Sequence, residues 1–195
     1  YDGRLMFGIG RSNQEKMVDA YAKFRLVRQS ISGGGSPVAV TLFSGIYRTG
    51  LKRYVGSLDL FPHSSDRLSY VHQIIIGRKF SPSISAQVAP FFVHYNLVET
   101  MSDKNDMYGV AGAARFKFTK RSAFTIEYAY RLVDDYSVTK YYNSFGVGYE
   151  LETGGHVFQV HLTNSYDLAD NQFLAHTTDK FSDGGIHLGF NISRV

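Results

Sequence analysis

The sequence predicts an all-β chain, an antiparallel meander closing as a transmembrane β-barrel, with about ten strands. Three observations lead there. Apolar and polar residues alternate with a period of two along most of the chain, and helical spacing is hard to find. Among 195 residues there are 15 Phe, 14 Tyr and 19 Gly but only 4 Pro, a mixture suited to strands and tight turns. Short connections alternate with longer polar ones, the pattern of membrane barrels with tight turns at one end and loops at the other. Mean hydropathy is only −0.18, and no apolar run approaches the roughly 18 residues a membrane helix needs. A barrel places its apolar residues at alternate positions, so a mean near zero does not exclude it.

The strands follow in order. The first, roughly 4–10, sets Leu5, Phe7 and Ile9 on one side. The second, roughly 17–30, alternates Val18, Ala20, Ala22, Phe24 and Leu26 with Asp19, Tyr21, Lys23, Arg25 and Val27. The third, roughly 37–48, groups Val38, Val40, Leu42 and Ile46, and the fourth spans roughly 67–79. In the fourth, His72 shares parity with Leu68, Tyr70, Ile74 and Ile76, which places a histidine among lipid-facing residues or shifts the register by one. The fifth, roughly 83–97, changes parity at Pro90, from Ile84, Ala86 and Val88 to Phe91, Val93, Tyr95 and Leu97. A proline lacks an amide donor, so a bulge is expected there. The remaining strands, roughly 107–118, 122–133, 142–152, 156–164 and 185–195, alternate cleanly. Turns are expected at Ser32–Ser36, Phe80–Pro82, Thr119–Arg121 and Thr153–Gly155. Longer loops are expected at Arg11–Lys16, Thr49–Asp66, Val98–Asp106, Asp134–Tyr141 and Asn164–Gly184, alternating with the turns without exception. One domain covers residues 1–195 on this reading. The chain opens at Tyr1 rather than Met, and the reading expects a signal peptide and one or two strands upstream.

Alternation alone leaves open which face meets lipid, since a soluble barrel would turn its apolar parity inward. Three features favour apolar residues outside. The polar parity is rich in small residues such as Gly109, Ala111, Ala113, Gly146, Gly148 and Gly189, which relieve crowding in a bore. The apolar parity carries Tyr95, Tyr108, Phe118, Phe124 and Tyr149 near strand ends, as aromatic girdles do. That parity is also nearly free of charge, and a cation at the bilayer midplane costs about 2–4 kcal/mol. A formal charge of +4 without blocks of like charge gives no support to nucleic-acid binding, and with no Cys there is neither disulfide nor thiolate chemistry.

Five segments carry a resemblance: Phe7–Ser12, Phe24–Ser30, Arg78–Pro82, Glu152–Gln159 and Gly189–Val195. Together they resemble a family of β-barrel proteins from Bacteroidota catalogued as a domain of unknown function. The likeness spans most of the chain. It implies a bacterial outer-membrane location and about two further strands, hence about twelve in all. Members of that family often end with an aromatic after the Arg-Val pair, where this chain ends at Val195. The family brings no established activity and no catalytic residues.

The inward parity collects Asp19, Lys23, Arg25, Arg115, Lys117, Glu127, Arg131 and Glu150. The simplest reading is a salt-bridge network filling the bore, because charges shielded from water are usually paired. The alternative is a narrow pore favouring anions. His161 and His187 share the inward parity on consecutive strands and read as a hydrogen-bonded lumen pair; two His without further ligands are a weak metal signal. The loop 164–184 has spaced aspartates but lacks the calcium-loop spacing. Its Phe173 and Phe181, with Tyr54 and Phe61 of the loop 49–66, read as external contacts for a partner. No nucleophile elbow is present, and Asp170 with His176 is the first rim pair to test for hydrolysis of lipid or protein. Gly33–Gly35 lacks the following Lys of a phosphate cradle. The expectation is a non-enzymatic protein without cofactor or bound metal. Its partners would be membrane lipid and other outer-membrane or surface proteins, docked through external loops in a structural or accessory role. A small-solute or anion channel is the alternative, and a rim hydrolase the more distant one.

Overall fold

Period-two patterning over short segments leaves the backbone one economical solution, a ladder of sequential antiparallel neighbours. The computed structural model describes residues 3–30, 34–52, 54–55, 58–59, 61–101, 103–133, 139–167 and 169–194. Ten strands form one sheet in chain order. They are β1 (Leu5–Arg11), β2 (Val18–Val27), β3 (Ala39–Arg48), β6 (Leu68–Lys79), β7 (Ile84–Tyr95), β8 (Asp106–Lys117), β9 (Ser122–Arg131), β10 (Ser144–Thr153), β11 (His156–Thr163) and β12 (His187–Arg194). The short ribbon β4 (Tyr54–Val55) and β5 (Leu58–Asp59) decorates the loop after β3. One six-residue helix, α1 (Asp170–Ala175), lies in the loop before β12. Among the described residues β1 and β12 do not pair, so the sheet stays open at that seam. Hydrocarbon tolerates no unpaired edge, so the membrane-embedded form must pair both.

Two expectations about the backbone are corrected. Pro90 causes no bulge and no change of parity. The β7–β8 register runs from Ile84↔Phe116 to His94↔Asp106 without a shift. Phe91 and Val93 therefore keep the inward parity of Ala89 and are buried, while Val88 and Pro90 face out. Tyr95 leaves the outer girdle with them, since its hydroxyl donates to the Asn171 carbonyl at 2.8 Å. The register irregularity falls instead between Arg25 and Val27, in the β2–β3 ladder. The strict alternation of connections also fails at one end. The loop 12–17 is shorter than the connection 28–38. Elsewhere the tight turns 80–83, 118–121 and 154–155 oppose the loops 49–67, 96–105, 132–143 and 164–186. The tightest turn uses Gly154 at φ 53° and Gly155 at φ 102°, a pair of left-handed positions that suits a two-residue hairpin.

The outward parity is apolar around the sheet. Ile9 is 89% exposed, Leu188 74% and Phe7 72%, with Phe24, Ile46, Ile74, Val110, Ile126, Val160 and Ile192 continuing the band. His72 belongs to this face, stacked on Phe92 at 6.1 Å, so the register of β6 needs no correction. Inside, the packed core of the described residues sits at the long-loop end. Met17, Phe43, Tyr47, Val71, Phe91, Val93, Met107 and Ala129 form it together with Leu174 and Ala175.

Candidate functional site

The site is the bore, and its most consequential occupant is a segment the alternation did not reveal. Asn171, Leu174 and Ala175 fall at i, i+3 and i+4 of α1, so one face of a short helix is buried. The helix lies against β6, β7, β8 and β9, inside the long-loop mouth. Leu174 and Ala175 join the apolar cluster, and polar anchors fix the rest. Tyr47 donates its hydroxyl to Asp170 Oδ2 at 2.8 Å, and Asn171 Nδ2 donates to Ser69 Oγ at 3.0 Å. Ser144 Oγ donates to the Phe173 carbonyl. The ring of His176 is sandwiched between Tyr95 and Tyr141, with centroids at 4.2 and 4.5 Å. Such a short helix would not hold in water by itself; the bore supplies the packing that keeps it helical.

Below the plug a cavity of about 710 Å³ opens toward the turn end, its polar lining residues including Gln73, Gln87, Arg115, Glu127, Gln159 and His161. Above it a second hollow of about 750 Å³ lies among the loops, between Glu15, Phe61, Arg67, Glu99, Tyr141 and Tyr166.

The eight charges expected to form one network are divided. Arg115 Nε meets Glu150 Oε2 at 2.5 Å, and Gln159 donates to Glu150 Oε1 at 2.7 Å. Lys117 reaches Glu152 at 3.4 Å rather than Glu127 or Glu150. Glu127 lies against Gly146 on the cavity wall. Arg131 turns to the plug end, donating to the Tyr141 carbonyl at 2.9 Å with its guanidinium 5.5 Å from the Tyr141 ring. Arg25 donates to the Gly3 carbonyl at 2.6 Å, and Lys23 lies over the Tyr21 and Phe43 rings. Asp19 sits beside Gly10. What fills the mouth of the bore is thus a folded loop on an apolar seat, with the Arg115–Glu150 and Lys117–Glu152 pairs on the wall below.

The histidine pair does not form. His161 lies opposite Gly189, whose missing side chain makes room for the ring, and its Nε2 is buried without a hydrogen-bond partner. His187 lies opposite Thr163 and bonds Asp179 of the long loop at 2.6 Å. Three of the four aromatic loop residues are described, and they separate as well. Phe173 packs against the core from the plug instead of facing a partner. Phe181 meets Phe145 edge-on at 5.0 Å. Phe61 remains at the outer hollow, with Arg67 stacked over its ring at 4.5 Å. The Tyr54 side chain lies outside the described residues. Asp170 and His176 sit at opposite ends of α1, each held by tyrosines.

Burial pushes the Asp170 carboxyl above the usual carboxylate range, and Asp19 adds to the rise, while Tyr47, Lys23 and Gln73 pull it back. The sign follows. A raised folded value means that the plug best holds the neutral acid. Its contribution is complete below the ordinary value of 3.8 and is lost as pH climbs through the raised one. Proteolysis of the loop 164–186 should therefore quicken as pH rises, and Asp170→Asn should flatten that dependence. A cleavage rate equal at all pH values would mean that Asp170 does not restrain the plug. Tyr47→Phe should loosen the plug by roughly 0.5–1.5 kcal/mol, the net worth of one hydrogen bond, read as faster cleavage at constant pH.

A continuous antiparallel meander with an apolar exterior, a polar bore and loops gathered at one end defines a membrane-bound β-barrel. The chain belongs to the membrane bound beta barrel domain family DUF5777, a domain of unknown function whose model matches residues 2–195. No curated protein and no solved structure matches it.

Proposed function

We propose that the protein is a closed barrel of the bacterial outer membrane, a structural or accessory subunit that docks other proteins through its long-loop end and catalyses no reaction. The observation that carries this reading is α1, seated on apolar contacts inside the mouth of the bore. A barrel whose task is conduction gains nothing from such a seal unless something removes it. The outer hollow, with Phe61 and the exposed Tyr166 at its margin, offers the mixture of aromatic and polar groups that protein interfaces favour.

A gated channel for small anions is the second reading. It is favoured by the cavity below the plug, where Arg115 sits on the wall. Planar-bilayer recording separates the two. The accessory reading expects no stable unitary currents from the wild-type barrel, and steady currents would transfer the case to the channel. Crosslinking in native membranes followed by purification tests docking directly. A barrel that always emerges without a crosslinked protein partner would end the accessory reading.

A further inference from the structure

Acids are partitioned between the two ends of this barrel, while cations occur at both. Acids gather in and beside the long loops, at Glu15, Asp59, Asp66, Glu99, Asp103 and Asp183 among others. The turn end carries the exposed cations Arg28, Arg78, Lys79, Lys120, Arg121 and Arg194. Among the described residues the acid nearest those turns is Glu152, and Lys117 already pairs with it at 3.4 Å.

Arg78 and Lys79 border the lower cavity with Arg115, but the cations as a set do not converge on it. They are spread around the perimeter, on the connection after β2, at the end of β6, on the turn after β8 and at the end of β12. Arg78 and Arg194 continue the outward parity of their strands, the positions from which a long side chain stretches from the apolar band to the headgroups. Aromatic rings lie beside them. Phe80 is 60% exposed with the Arg78 guanidinium 5.2 Å from its ring centre. Phe118, Phe124 and Tyr149 cluster across β8–β10, Phe118 stacked on Phe124 at 4.8 Å and Phe124 edge-on to Tyr149 at 5.7 Å. Lys120 and Arg121 occupy the turn between those rings.

An aromatic girdle marks the depth of a bilayer interface. Lys120 and Arg121, two and three residues beyond Phe118, stand at the level of phosphate groups, with Arg78 beside Phe80, and an anionic surface attracts each of them. We infer that the turn end is a collar for anionic phospholipids, with Arg78, Lys120 and Arg121 holding headgroups of the adjacent leaflet. A soluble anion fits less well, because Arg28, Lys120, Arg121 and Arg194 lie away from the lower cavity. The inference rests on the membrane-bound barrel and is independent of the accessory role, so loss of docking would leave it untouched.

The test uses the full chain folded in detergent, with lipid exchange followed by native mass spectrometry. Equal amounts of phosphatidylglycerol and phosphatidylcholine are offered. Phosphatidylglycerol should be retained preferentially, and added salt should erode the preference. The triple variant Arg78→Gln, Lys120→Gln, Arg121→Gln should lose the preference, by roughly fivefold for each charge removed at low salt. Lys104→Gln, Lys140→Gln, Lys180→Gln at the opposite end should retain it. Excess inorganic phosphate should not displace the lipid. Equal retention of the two lipids by the wild type, or equal loss in both triple variants, would overturn the inference. The wild-type comparison with salt needs no variant and holds even if a triple variant fails to fold.

Discussion

Leu174→Asp should turn a silent barrel into a conducting one. Leu174 is 3% exposed within the apolar cluster that joins α1 to the strand walls. An unpaired carboxylate in that cluster costs several kcal/mol. The polar anchors of the plug, chiefly Tyr47 to Asp170 and Asn171 to Ser69, are worth about 1 kcal/mol each. They cannot hold the helix against that penalty. The ten-strand ladder involves no residue of α1, so the barrel itself should persist. Heat-dependent mobility on SDS gels reports the folded barrel, and planar bilayers report the opening. A folded Leu174→Asp barrel that stays silent would show that something other than α1 closes the bore.

The second large effect is expected at Gly109. It lies on β8 opposite Arg131, and a Cβ built there overlaps the Phe91 ring and the Tyr130 carbonyl. The ring can swing aside only at a cost, and the carbonyl belongs to the neighbouring strand's backbone. Gly109→Ala should therefore lower stability by about 1–3 kcal/mol, the usual cost of overpacking. Gly112→Ala is the matched control three residues away. Its nearest neighbour is the Gln87 carbonyl at 3.9 Å, an ordinary contact. A change within about 0.5 kcal/mol is expected there. Urea unfolding in lipid vesicles gives both values. Equal midpoints for the two variants would mean that β8 and β9 approach less closely than described.

Most of the ladder was legible because a membrane barrel writes its strands locally. One parity meets lipid and the other the bore, and turn residues mark the ends. The register of β8–β9–β10, in which Ala113, Glu127 and Gly146 follow one another inward, needs no information beyond that parity. The exceptions share one cause. Phe43, Tyr47, Val71, Phe91, Val93 and Met107 are apolar residues on the inward parity. At Phe91 and Val93 this looked like a change of face at Pro90. These residues face inward because they seat a plug, and the plug comes from a loop about eighty residues further along the chain.

The helix left a local trace, the spacing of Asn171, Leu174 and Ala175, but six residues are too few for periodicity to stand out from a loop. The charges teach the same lesson. Parity places Arg115, Glu127, Arg131 and Glu150 in the bore, yet only their height along the strands decides which pairs meet. Arg115 finds Glu150, while Arg131 is drawn up to Tyr141.

By itself the sequence determined the class, the strand order and the lipid-facing side, because alternation and turn chemistry act between near neighbours. Tertiary structure decided whether the bore is open. That outcome depends on where one distant loop finds an apolar seat, and burial of that kind leaves no period in the chain.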